Sequence, residues 1–148
     1  MKLQQATRCA LLAVLHVASK PGEQIPANEL AEIYGVSQHH LAKVLRTLSL
    51  AGIVESTRGA GGGCSFIGDP RKITLYDIIR LFEDDWLAPP RGDPDAPTDV
   101  AGELQRVLGE VDRITAATLH SVTLQTVINN ANRNARRRQS GGGAARSA

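Results

Sequence analysis

His39, Lys43 and Arg46 are spaced four and three residues apart in the run Gln38-His39-His40-Leu41-Ala42-Lys43-Val44-Leu45-Arg46-Thr47-Leu48. At about 100° per residue, a helix that turns Leu41, Val44, Leu45 and Leu48 inward sends these three side chains to its far side, with His40 and Thr47 on the flank. All of them donate hydrogen bonds. Donors on the exposed face of a short helix suit the acceptors of guanine in the major groove and the oxygens of phosphate. Ser37 and Gln38 open the same segment and join the candidate set. The alternative for this face, taken alone, is ordinary solvated surface.

A second group follows closely. Ile53-Val54-Glu55-Ser56-Thr57-Arg58 is rich in strand formers, Gly59-Ala60-Gly61-Gly62-Gly63 can turn sharply, and Cys64-Ser65-Phe66-Ile67 returns to strand composition. The pattern predicts a hairpin with a glycine tip. A phosphate-cradling loop would need a trailing Gly-Lys-Ser/Thr and a helix, and neither follows. Arg58, Gly59, Gly61, Gly62 and Gly63 are therefore candidates for contact with a duplex backbone or minor groove.

The remaining reactive groups are sparse. Cys9 and Cys64 are the two cysteines of the chain, too few for a disulfide framework. Either serves as a redox thiol only if it is exposed with a lowered pKa; otherwise it is a small buried apolar side chain. His16 and His120 are isolated, so no metal site is expected. No triad or carboxylate pair is fixed by spacing. The expectation is no catalytic residue, no enzyme activity and no cofactor.

The elements that position these residues can be read from periodicity. Leu3 to Ser19 carries an apolar stripe of helical spacing and stops before Pro21-Gly22. Asn28 to Tyr34 is a short helix that Gly35 can close in the left-handed region, and Ser37 is a natural N-cap for the next. Two short helices joined through Gly35-Val36-Ser37 read as a helix-turn-helix, and the hairpin adds a wing. Thr74 caps a further helix over Leu75 to Phe82. Asp84 to Asp99, with four prolines and five aspartates, reads as a solvated linker. From Val100 to Val122 apolar residues recur in alternating three- and four-residue steps, including Leu104, Val107, Leu108, Val111 and Ile114. A stripe that long needs a partner, and a second copy of the chain is the natural one. A short helix over Leu124, Val127 and Ile128 is expected to end at Asn129-Asn130.

The 148 residues and 42% apolar content suit one modest core, and 3% aromatic content makes aliphatic and alanine packing dominant. The net charge of +2 hides segregation: residues 1–72 carry +3, residues 73–132 carry −6 and residues 133–148 carry +5. The front and tail face polyanions. The first residues lack a basic-then-apolar leader and no stretch reaches the roughly 20 apolar residues of a membrane span, so a cytoplasmic protein is expected.

Four segments together resemble the Rrf family of bacterial transcriptional regulators, whose best-known members hold iron–sulfur clusters. They are Leu48-Ser49-Leu50-Ala51-Gly52-Ile53-Val54, the wing Arg58-Gly59-Ala60-Gly61-Gly62-Gly63, the helix start Lys72-Ile73-Thr74-Leu75-Tyr76-Asp77-Ile78-Ile79, and Thr123-Leu124-Gln125-Thr126-Val127-Ile128-Asn129-Asn130. The resemblance runs from Met1 to about Asn130. It implies DNA binding by the helix pair and wing. Cluster-binding members carry three cysteines in the loop before the long helix; the equivalent stretch here, Phe82 to Ala101, has none. Cys64 stands where many relatives have an aromatic residue.

The expected fold is mainly α with a small β-hairpin wing, a winged helix-turn-helix plus a long dimerisation helix. Its parts are a DNA-binding domain over residues 1–83, an acidic Pro-rich loop over 84–99, the dimerisation helix and short terminal helix over 100–130, and a flexible basic tail over 131–148 that adds non-specific affinity. The expected function is a homodimeric repressor that binds double-stranded DNA at an inverted-repeat operator without an iron–sulfur cluster, its effector unidentified. The competing readings are a winged-helix protein-interaction module and a redox or metal-binding protein on the same scaffold.

Overall fold

The computed structural model describes residues 3–57, 62–83 and 99–141. Among them are six helices and one two-stranded hairpin. Helix α1 (Gln5–Ala18) presents Ala10, Ala13, Val14 and Val17 to the core, all buried. The alanines leave room for α3 to come close. Helix α2 (Ala27–Tyr34) stops at Gly35, whose φ of 61° and ψ of 37° place it in the left-handed region; the Val36 amide then donates to the Ala31 carbonyl at 3.0 Å. A side chain there would be strained. Helix α3 (Gln38–Leu50) begins at Ser37, whose hydroxyl accepts from the His40 amide at 3.1 Å. Leu41, Val44, Leu45 and Leu48 point inward as the spacing predicts.

Strands β1 (Val54–Ser56) and β2 (Cys64–Phe66) pair antiparallel, with Val54 opposite Phe66 and Ser56 opposite Cys64. The hairpin has a third partner that periodicity does not reveal. Ile25, in the connection between α1 and α2, exchanges two backbone hydrogen bonds with Cys64, at 2.9 and 2.7 Å. This ladder stitches the wing to the start of α2.

Helix α4 (Leu75–Ile79) opens with a capping box in which the Thr74 hydroxyl accepts from the Asp77 amide and the Asp77 carboxylate accepts from the Thr74 amide at 2.9 Å. It is shorter than the predicted Leu75–Phe82 because the Leu81 and Phe82 amides donate to carbonyls three residues back, tightening the chain into turns. Those turns end at Glu83, which is buried and accepts from the Thr7 hydroxyl at 2.5 Å and the Gln4 amide at 2.8 Å.

Helix α5 (Asp99–Ser121) is the longest, and only Gly109 and Leu119 on it are buried. Its end is tied down: His120 stacks on Tyr76 with ring centroids 3.7 Å apart, and Thr123 bridges Thr74. Helix α6 (Leu124–Gly141) then turns back, and Leu124 is fully buried in the same core as α1 and α3. The short terminal helix expected after the long one thus begins by packing into the core of the first half of the chain.

One boundary is corrected outright. The terminal helix does not stop at Asn129-Asn130 before a flexible tail but runs to Gly141. Once packing of Leu124 and Ile128 has nucleated the helix, Ala131, Ala135, Arg136, Arg137, Arg138 and Gln139 propagate it with little intrinsic cost, and asparagine opposes it only by fractions of a kcal/mol. The acidic loop and the last seven residues, 142–148, lie outside the described residues, apart from Asp99, which already belongs to α5.

Candidate nucleic-acid interface

Helix α3 packs between α1 and α2 on one side and leaves the other open. Gln38, His39, Ala42, Lys43, Arg46, Ser49 and Leu50 are exposed, and they form one stripe along the helix. No acidic residue lies on α3, and among the described residues none pairs with His39, Lys43 or Arg46. The stripe is a cationic, donor-rich face. His40 departs from it: half-buried on the flank, its Nε2 is shielded from solvent. Ser37 is exposed, and its oxygen is already used to cap α3 while its proton remains available to an acceptor. The free amides of the first turn add a site that favours anions.

The base of the wing faces the same stripe. Ala27, Asn28, Leu45, Arg46, Ser49, Leu50, Ser56, Thr57, Gly62 and Gly63 line a groove of about 460 Å³ between the start of α2, the second half of α3 and the hairpin. Thr57 closes the hairpin there. Its amide donates to the Gly63 carbonyl at 3.0 Å, its hydroxyl accepts from the Gly63 amide at 3.3 Å, and the Gln24 side-chain amide also donates to it. Gly62 and Gly63 are thus at the wing base, whereas Arg58, Gly59 and Gly61 lie outside the described residues. Gly63 is buried, and a Cβ on it would stand 2.6 Å from the Ile25 carbonyl oxygen. Its requirement for glycine is therefore one of packing against the Ile25 ladder.

Residues of this corner that the sequence did not single out include Leu50, 81% exposed at the end of α3, and Thr57, which line the groove, and Gln24, which bonds Thr57 beside it. Leu50 was legible in principle, since it follows Arg46 by four residues on the same face. Gln24 carries no local signal, because it reaches Thr57 only through the fold.

The cysteines are placed differently from the candidate thiol role. Both are buried in the hydrophobic core, Cys9 on α1 and Cys64 on β2. Burial raises the pKa of both thiols, that of Cys64 to about 11. A reactive thiol requires exposure and a lowered pKa; the structure gives the reverse of each.

A helix pair with a cationic outer face, flanked by a hairpin that continues its surface, defines a winged helix-turn-helix DNA-binding protein. Residues 3–130 match the family Rrf2, described as an iron-dependent transcriptional regulator. The chain is 43% identical over 128 residues to the HTH-type transcriptional regulator BadM of Rhodopseudomonas palustris, covering 86% of this chain and 81% of that protein. It is 38% identical over 87 residues to the HTH-type transcriptional regulator NsrR of Bacillus subtilis, covering 58% of this chain and 60% of the other. Among solved structures, CymR, the global cysteine regulator of B. subtilis, superimposes with a TM-score of 0.72 at 26% identity, over 88% of this chain and 98% of that one. IscR of T. potens gives 0.71 at 27% identity over 88% of each. The chain belongs to the Rrf2 family of DNA-binding transcriptional regulators.

The cysteines also test the iron-dependence in that family description. An iron–sulfur centre is held by thiolates, at most partly replaced by imidazoles. This chain has two cysteines in all, both inside the apolar core with pKa values raised. They do not fit such a centre.

Proposed function

We propose that the exposed face of α3, carried by Gln38, His39, Lys43 and Arg46 and extended by the wing, reads an inverted-repeat operator in double-stranded DNA. The observation that carries this is the unpaired cationic stripe beside the wing-base groove. Ser37 and the half-buried His40 border the major groove; Arg58, Gly59, Gly61 and Gly62 are the wing residues assigned to the DNA backbone, with Gly63 holding the wing base in place from its buried position. Lys43 and Arg46 lie on the same turn-to-turn line, so both reach one groove. The protein acts as a repressor by occupying that operator, has no enzyme activity of its own, and works in the cytoplasm where the DNA is. No described helix is long and apolar enough to cross a membrane.

The repressor is a homodimer on this reading. Val100, Leu104, Val107, Leu108, Val111 and Ile114 are all exposed along α5, with Leu104 at 57% and Ile114 at 58%. So long an apolar stripe on a regulator of this size marks an interface. A two-fold dimer would place two α3 faces on two half-sites.

The test selects bound fragments from a genomic pool and measures affinity at fixed salt. Lys43→Ala and Arg46→Ala should each weaken binding by about 1–3 kcal/mol if they read a base, with the loss confined to one operator position; a phosphate contact would weaken all sequences alike. Unchanged affinity in both variants would remove α3 from the interface.

A further inference from the structure

Helix α6 leaves the core beside the turn that introduces α3. Leu124 and Ile128 are buried, and Ala131 and Asn132 border a cleft shared with His16, Ser19 and Tyr34. Tyr34 is the last residue of α2, and its hydroxyl is 2.9 Å from the Nδ1 of His16. Ser37, the cap of α3, is three residues further along. From residue 129 to residue 140 every side chain of α6 is exposed. The helix thus projects past the end of the core with its last nine residues, about 13 Å at 1.5 Å per residue.

The chemistry of that projection is one-sided. Leu124 to Gly141 contains four arginines and no acid. Asn130, Arg133, Asn134 and Arg137 line a shallow concavity of about 340 Å³ on one face of the helix, opposite the face that carries Leu124 and Ile128. The Arg133 guanidinium donates to Asn130, and Arg136, Arg137 and Arg138 have no acidic partner among the described residues. Guanidinium forks with amide donors around a concavity match phosphate oxygens.

We propose that the projecting part of α6 is a second, rigid DNA contact, a phosphate clamp centred on Arg133 and Arg137, which share one face, with Arg136 and Arg138 on its two flanks, on the backbone next to the groove that α3 enters. The proposal rests on the reading of α3 as the operator-reading helix. In a helix-turn-helix the first helix of the pair crosses the backbone, and α6, packed on α1, borders Tyr34, the last residue of that first helix, across their shared cleft. A helix holds Arg133 and Arg137, one turn apart, in a fixed direction, so their contact falls at defined phosphates. A flexible tail would instead spread its charge over the duplex. With phosphates about 3.4 Å apart along the axis for one strand, the stretch from Arg133 to Arg138, about 7.5 Å at 1.5 Å per residue, spans two to three of them.

The experiment uses the full chain and a duplex selected by it from genomic fragments. A variant with all four arginines replaced by glutamine is compared with one in which they are lysine and with Lys43→Ala. Affinity is followed against salt, and hydroxyl-radical cleavage maps the protected backbone. The glutamine variant should flatten the log–log salt slope by about 2 for each arm, hence about 4 for a dimer on both half-sites, at about 0.9 per phosphate. It should also lose protection at two to three adjacent sugars while keeping the preferred sequence. The lysine variant should restore the slope, and helical content should be equal in all. An unchanged slope and footprint in the glutamine variant would overturn the proposal, as would reduced binding to polyglutamate with DNA binding intact, which would assign the face to an acidic protein. Loss of sequence preference in Lys43→Ala tests α3 separately, so failure of the arm and failure of the α3 reading are distinguishable.

Discussion

At the scale of single residues, the two cysteines and Gly63 carry the sharpest expectations. Cys64 has no measurable exposure and a thiol pKa near 11, so at pH 8 almost none of it is thiolate. Ellman's reagent should therefore leave it unmodified in the native protein and react only after denaturation. Rapid native-state modification of two thiols per chain would show that the wing opens. Gly63→Ala drives a methyl group into the Ile25 carbonyl, and that overpacking should cost about 1–3 kcal/mol in urea unfolding. Cys64 shows where legibility ends at this scale. Its type and position beside the glycines suited either a switch or a core residue, and only the Ile25 pairing, which joins positions 39 residues apart, decides between them. His39, Lys43 and Arg46 were legible because an apolar face of four residues fixes the opposite face of a helix by geometry alone.

At the scale of elements, local signals were read well where the deciding chemistry is local. Ser37, Gly35 and Thr74 mark boundaries because a cap or a left-handed residue needs only its immediate neighbours. The length of α6 was missed because asparagines suggested an end, while the burial of Leu124, which nucleates the helix, comes from packing against distant residues. Glu83 was missed for the same reason: it sits at the edge of an acidic run and looks like part of the linker, yet it fastens that end of the run to the start of α1. Burial alone would raise its pKa, but hydrogen bonds from the Thr7 hydroxyl and the Gln4 amide outweigh that and hold the carboxyl below the usual glutamate range. A depressed folded pKa stabilises fully above the unfolded value, about 4.3, and the contribution is lost as pH falls through the folded value. Thermal melts of Glu83→Gln should thus be less stable than the parent at pH 6, with the gap closing below about pH 4. A gap of constant size across that range would show that the charge at position 83 is not what stabilises the contact.

At the scale of the whole molecule, the exposed stripe of α5 and the buried start of α6 act together. Val111→Glu places a charge in the middle of the stripe, where desolvating it opposes association. Light scattering should then give the mass of one chain where the parent gives two, with operator affinity reduced more than tenfold. A dimer of unchanged mass would move the interface elsewhere. The tie between the two halves has a further consequence. Tyr76 stacked on His120, Thr74 bridged to Thr123, and Leu124 seated among α1 and α3 fasten the C-terminal end of the long helix to the reading head at three points. Two such chains, joined along α5 in the proposed dimer, would behave like a calliper with a locked pivot. The gap between their tips is set once, by the angle at which the long helices cross, and the pair tolerates a substituted base far better than an inserted one. Five base pairs added between the half-sites would turn the second half-site to the opposite side of the duplex, at about 10.5 base pairs per turn, beyond the reach of a frame with no slack.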